Sequence, residues 1–165
     1  MEYLENLFGL RGKSAVVIGG TGELCGAMAE GLAGAGAYVY LVGRNKEKAE
    51  SRLEEIRKID GQGEFIACDV SQKEELEKLR DQVLAQHPSI DVLVNGAGIN
   101  SPTPFLEISE EEFDRILGVN LKAVLLSCQI FGQAMLDHGK GGSIINLGSI
   151  SGLNPLSRVF SYSAS

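Results

Sequence analysis

At 165 residues, with 44% apolar content and a mean hydropathy of +0.03, the chain can bury a core of its own and is excluded from the disordered class. Its formal charge of -7, offset by no basic stretch, excludes a nucleic acid or an anionic membrane as an electrostatically held partner. Cys25, Cys68 and Cys128 are odd in number and lack C-x-x-C spacing, so the expectation is a cytoplasmic protein with reduced, buried thiols.

The N-terminus, Met1-Glu2-Tyr3-Leu4-Glu5, carries acids and no long apolar core, so it does not read as a signal peptide. Five short apolar runs follow: Ser14–Ile18, Tyr38–Val42, Glu64–Ala67, Ile90–Val94 and Ser143–Leu147. They are rich in Val and Ile and lack strict alternation, which predicts strands buried on both faces. Between them lie helical spacings. The first helix runs from about Glu23 to Ala35; the second starts near Asn45, a good N-cap, and stops before Gly61. Ser71-Gln72-Lys73-Glu74 has capping-box form and opens a third, which ends at His87-Pro88. Ser109-Glu110-Glu111-Glu112 repeats that signature and opens a fourth helical region, which after Asn120 continues as a long apolar helix from about Leu121 to Leu136. No apolar run approaches the ~18 residues needed to span a bilayer.

Strand alternating with helix predicts an α/β fold: a Rossmann-like, doubly wound parallel sheet with right-handed crossovers, forming a single domain over residues 1–165. His87 and His138 have no third ligand or paired nucleophile near them in sequence, so neither a metal site nor a Ser/His triad is expected.

Ala15-Val16-Val17-Ile18 runs directly into Gly19-Gly20-Thr21-Gly22 and then a helix opening with Glu23-Leu24. Glycines at a strand-to-helix turn let the backbone approach an anion, and the free N–H groups of the helix start favour negative charge. Taken alone, such a turn is a weak signal, since turns of this kind also occur without a ligand.

Several further stretches extend this pattern. They are Ala27-Met28-Ala29, Cys68-Asp69-Val70, Asn95-Gly96-Ala97-Gly98, Val119-Asn120, Ile144-Ile145-Asn146, and the pair Ser149 and Tyr162. In this order and spacing, over nearly the whole chain, the sequence resembles the short-chain dehydrogenase/reductase family. The stretches around Gly20-Thr21-Gly22 and Gly148–Pro155 are similar to members acting on sugar acids or polyols, of mannonate or gluconate type.

The resemblance implies a cofactor site at Gly19, Gly20, Thr21, Gly22, Glu23, Leu24, Arg44, Asn45, Asp69, Val70, Asn95, Gly96, Ala97 and Gly98. Asp69-Val70 would touch the adenine. Many NAD-preferring members carry an acid at the end of the second strand, where this chain has Gly43-Arg44-Asn45. A guanidinium can pair with a 2′-phosphate, which favours NADP(H), with NAD the alternative. Arg44 as a plain surface charge, Asp69 as a turn residue and Asn95 as a structural amide remain open beside these roles. The chain departs from the family's glycine pattern: Ile18 replaces the threonine, Glu23 the second glycine and Cys25 the third. A carboxylate at Glu23 suits a helix N-terminus yet would repel a pyrophosphate.

The resemblance also assigns proton transfer to Tyr162, placement of the substrate oxygen to Ser149, and to Asn120 the anchoring of a water in a relay. The chemistry is hydride exchange between a nicotinamide and a secondary alcohol or ketone, with a small-molecule substrate as partner. Lowering a tyrosine pKa from about 10 to neutrality requires about 4 kcal/mol of differential stabilisation. Family members supply much of it from a lysine four residues beyond the tyrosine, which here is the position after Ser165. The expectation is therefore a chain that lacks the family's last strands and is inactive alone. The alternatives are a non-catalytic dinucleotide-binding or interaction module, or a scaffold that binds no nucleotide. The last strand would be an open edge, and the apolar helix from Leu121 has more apolar surface than one sheet face needs. The family uses that helix between subunits, so a homo-oligomer, dimer or tetramer, is expected of the extended protein.

Overall fold

The computed structural model describes residues 2–165. In chain order its elements are α1 (Glu2–Phe8), β1 (Ser14–Ile18), α2 (Glu23–Gly34), β2 (Tyr38–Gly43), α3 (Lys46–Lys58), β3 (Gln62–Ala67) and α4 (Lys73–Gln86). They continue with β4 (Val92–Asn95), α5 (Glu110–Leu117), α6 (Ala123–Asp137), β5 (Ser143–Asn146) and α7 (Phe160–Ser163). Short 3-10 turns at Phe105–Glu107 and Ile150–Gly152 stand beside the last helices.

The five strands form one parallel sheet in the order β3-β2-β1-β4-β5. Successive side chains of a strand point to opposite faces, and both faces of the central strands β1, β2 and β4 are covered. Val16, Ile18, Tyr40, Val42 and Leu93 join Leu76, Leu79 and Val83 of α4 and Ile130, Phe131 and Ala134 of α6 on one side. Ala15, Val17, Val39, Leu41 and Val94 join Cys25, Ala29 and Ala33 of α2 and Leu53 and Ile56 of α3 on the other. Each large side chain sealed here, Phe131 or Leu93 for example, contributes about 1.5–3 kcal/mol. The small residues of α2 let that helix lie close to the sheet.

The predicted fold class is the observed one, with local differences. The N-terminal residues form α1, for which the sequence showed no signal. β3 begins at Gln62 rather than Glu64, and β4 covers Val92–Asn95 rather than Ile90–Val94. Asn45 caps α3 through its side chain, accepting from Lys48 N–H at 2.9 Å. Ser109 likewise caps α5 by accepting from Glu112 N–H. The capping box expected at Ser71 does not form: the N-cap of α4 is Gln72, without a side-chain bond. Asp69 draws the Ser71 hydroxyl and amide to its own carboxylate, at 2.8 and 3.1 Å, so Ser71 closes the turn before the helix. Cys25 and Cys68 are buried as expected, whereas Cys128 is half-buried.

A second correction concerns helix length. A π-helical turn at Gly118–Lys122 joins α5 to α6, so the helix runs unbroken from Glu110 to Asp137. At 28 residues, with a mean hydropathy of 1.3 in its most apolar stretch, it is long and apolar enough to cross a bilayer by length and composition alone. The sequence reading continues the helical region past Asn120, but its expectation that no apolar stretch is long enough to span a bilayer does not hold. Its inner face, Ala123, Ser127, Ile130, Phe131, Ala134 and Met135, is buried, while Leu121, Leu125 and Leu136 stand exposed. β5 forms the open edge the sequence predicts, but it is exposed along its length rather than buried on both faces.

Candidate functional site

From β1 the chain continues to β2 on one side, while β1's other neighbour is β4. In parallel α/β sheets a ligand crevice lies at such a reversal, beyond the carboxyl ends of the strands. Two glycine-rich turns meet there. Gly19, at φ +82°, leaves β1, and Gly96 leaves β4. A Cβ on Gly19 would stand 2.8 Å from the Gly96 carbonyl carbon and 2.9 Å from the Ala97 nitrogen. No residue with a side chain fits that approach.

The Gly96-Ala97-Gly98 loop is the wall shared by two clefts. The first, of about 260 Å³, is lined by Gly19, Thr21, Gly22, Arg44, Asp69 and Val70, with Val42, Gly43, Cys68, Ile99 and Val119 completing it. The second, of about 410 Å³, holds Leu24, Asn120, Ser149 and Tyr162, together with Val124, Leu147, Gly148, Gly152, Ser163 and Ser165. Of the residues read from sequence, Ser149 and Tyr162 thus share one cleft, and Arg44 and Asp69 share the other. The remaining ones stand behind these walls. Gly20 is buried against Leu41 and the Val17 carbonyl, Asn45 faces its own helix, and Glu23 lines neither cleft.

Asn95 is buried and ties three elements together. Its Nδ2 donates to Asn146 Oδ1 of β5 at 2.8 Å, and its Oδ1 accepts from Ser127 Oγ of α6 at 2.7 Å. Asn120 sits in the π turn, a distortion often found at functional sites. Its carboxamide brackets Ile99: Oδ1 accepts from the Ile99 N–H at 2.8 Å and Nδ2 donates to the Ile99 carbonyl at 2.9 Å. Nδ2 also donates to Ser165 Oγ at 2.9 Å, and Ser165 Oγ donates to the Tyr162 carbonyl at 2.8 Å. The loop after β4 is thereby coupled to α7. Glu112 fastens the next stretch of that loop, accepting from Thr103 Oγ1 at 2.8 Å and Ser101 Oγ at 3.2 Å. Phe105 and Phe160 meet edge-to-face at 4.9 Å.

Ser149 is exposed at the mouth and accepts from the Ser151 N–H at 3.2 Å. Tyr162 is half-buried in α7. Ser163 lines the same cleft with a buried hydroxyl that has no partner among the described residues.

In the first cleft, the Ser71 hydroxyl and amide hold the Asp69 carboxyl below its ordinary range against the opposing effect of burial, with Arg44 adding to the lowering. The Asp69 N–H is in turn bound by the Glu75 carboxylate. Burial, then Glu75 and Asp69, push the Cys68 thiol up to about 11, so it stays neutral and unreactive. Sequence reasoning missed Ile99, Val119, Leu147, Ser163 and Glu75. Ile99, directly after Gly98, and Val119, in the Val119-Asn120 stretch, had a local signal that was not carried to the site.

A family model for short chain dehydrogenases matches residues 13–165. D-threitol dehydrogenase of Mycolicibacterium smegmatis is 35% identical over 96% of this chain and 60% of its own length. The 2-dehydro-3-deoxy-D-gluconate 5-dehydrogenase of Escherichia coli is 34% identical over 96% of this chain and 62% of its own. The crystal structure of a metagenomic short-chain oxidoreductase in complex with NADP superposes with a TM-score of 0.88 at 37% identity, covering 94% of this chain and 70% of that one. The chain thus spans about three fifths of each of these two curated relatives. It belongs to the short-chain dehydrogenase family.

Proposed function

We propose that residues 1–165 form one dinucleotide-binding domain of an NADP(H)-linked oxidoreductase that interconverts a secondary alcohol and a ketone. The observation that carries this is Ser149 and Tyr162 lining one cleft whose far wall, Gly96–Gly98, is also the wall of the cleft at Arg44 and Asp69. The residues present fit a dinucleotide. The Gly19–Gly96 approach leaves bare backbone where a pyrophosphate needs it, at the start of α2. Arg44 supplies a cation for a 2′-phosphate, with NAD(H) the alternative if that charge goes unused. Thr21, Gly22, Asp69 and Val70 hold the adenosine side, and Leu24, Gly98 and Asn120 border the nicotinamide side.

When bound, the nicotinamide supplies or accepts the hydride. The Tyr162 phenol gives the proton to a carbonyl oxygen, or takes it from a hydroxyl, as general acid or base. The Ser149 hydroxyl orients that oxygen, and Asn120 fixes the Ile99 backbone and the Ser165 hydroxyl beneath it. The D-threitol and deoxygluconate relatives support a polyol or sugar-acid substrate. The uncovered outer face of α6 supports a homo-oligomer, and the net charge of -7 supports neither a nucleic acid nor an anionic membrane as partner.

The test compares wild type with Tyr162→Phe, each as residues 1–165 and as the chain extended past Ser165. NADPH binding, followed by cofactor fluorescence, is expected to be unchanged by the substitution. Turnover of polyols and sugar acids by the extended chain is expected to fall at least about a hundredfold, the lower end for a lost general acid or base. Undiminished turnover overturns the proton-transfer role, and absence of NADPH and NADH binding overturns the whole reading.

A further inference from the structure

We infer that Arg52 is a positioning residue for the cofactor: it holds the Glu23 carboxylate away from the pyrophosphate position, so that the turn tolerates an acid at the first residue of α2. The inference rests on the cofactor reading above. Glu23 opens α2, between Gly22, which lines one cleft, and Leu24, which lines the other. Its carboxylate lines neither. It projects into solvent with Oε2 3.5 Å from Arg52 Nη2, on the side of α3.

Arg52 is built into place for this contact. Its side chain is 19% exposed, and Nη1 is anchored by the Glu30 carboxylate two turns along the same face of α2. The guanidinium lies directly over Gly26. A Cβ there would come within 2.3 Å of Nε and 2.7 Å of Cζ. Gly26 therefore opens the gap through which Arg52 of α3 reaches across α2. An unpaired carboxylate at a helix N-terminus would be drawn to the free N–H groups, the place an anionic ligand needs. Glu30 fixes the guanidinium, and the guanidinium offers Glu23 a partner on the opposite side.

The test measures NADPH Kd by cofactor fluorescence at low and high salt for wild type, Arg52→Gln, Glu23→Gln and the double variant, with thermal melts alongside. Arg52→Gln is expected to raise Kd about two- to fivefold at low salt, the span of a partly exposed ion pair. The rise should shrink in 1 M salt, where the screening length is about 3 Å. The double variant should bind within about twofold of wild type, because no carboxylate is left to restrain. Its melting temperature should stay as low as that of Arg52→Gln, since the Glu30 anchor is lost in both. Should Arg52→Gln not fold, Arg52→Lys keeps the charge, and Glu23→Lys should tighten binding without touching Glu30. A Kd unmoved by Arg52→Gln, or a rise that persists in the double variant, overturns the inference alone. A wild type that binds no dinucleotide overturns the cofactor reading and this inference with it.

Discussion

Gly96→Ala tests how the two turns of the site are fitted together. A Cβ at residue 96 would stand 2.1 Å from Cys25 Sγ, with Leu147 Cδ1 next at 3.2 Å and the Ile18 carbonyl oxygen at 3.5 Å. Carbon and sulfur need well over 3 Å, so the clash amounts to more than an ångström. Cys25 is 4% exposed on the sheet-facing side of α2, and its thiol cannot swing into solvent. Overpacking of this kind costs about 1–3 kcal/mol. For a chain of this length that is a fall of roughly 2–4 °C in melting temperature per kcal/mol. Cys25→Ala removes the colliding sulfur and leaves the 3.2 Å contact with a flexible leucine as the worst remaining one. In that background the cost of Gly96→Ala should drop below about 1 kcal/mol, a coupling of about 1–2 kcal/mol. Gly19→Ala is the control. Its obstacles are the backbone of Gly96 and Ala97 and a φ of +82°, and removing the thiol relieves neither. Urea melts of the four-variant cycle measure the coupling. A value inside the roughly 0.3–0.5 kcal/mol range of independent sites would refute the argument that the thiol is what requires glycine at residue 96.

Two further outcomes are expected. Burial works to raise the Asp91 carboxyl, but hydrogen bonds from Lys13, Ser14 N–H and Ser89 outweigh it and leave the group below its ordinary range. The stabilisation is therefore present above the unfolded value near 3.9 and is lost as pH falls through the lower folded value. Asp91→Asn should cost about 1–3 kcal/mol at pH 7 and flatten the acid limb of stability against pH, measured by urea melts between pH 2 and 7. Replacing exposed Leu121 and Leu125 with Glu should lower the solution mass of the extended protein by light scattering; an unchanged mass would place the subunit interface elsewhere.

The fold was legible in this sequence because both faces of the sheet are covered. Strands such as Ala15–Ile18 and Val39–Val42 must then be continuously apolar, and that is a local signal. Asn45 and Ser109 were legible for a similar reason, since a cap needs only its own helix. Ser71 failed because a nearer acceptor, Asp69, competed for its hydroxyl, and the spacing of a capping box is silent about such rivals. The helix continues past Asn120, as the apolar spacing indicates, because a π turn absorbs the irregularity without ending it.

At the site, the residue types were legible and their arrangement less so. Gly19 and Gly96 lie 77 positions apart, and nothing local to either announces that one occupies the space a side chain of the other would need. Glu23 shows the difference most clearly. Read along the chain, it is a carboxylate in a phosphate-binding turn, a contradiction. Its direction is set by Arg52 on another helix, by Glu30 beside it, and by the absence of a side chain at Gly26. In the fold the room left at Gly26 belongs to a guanidinium. A departure from a family's glycine pattern is thus interpretable only with the residues that answer it, and here those lie on α3 and further along α2.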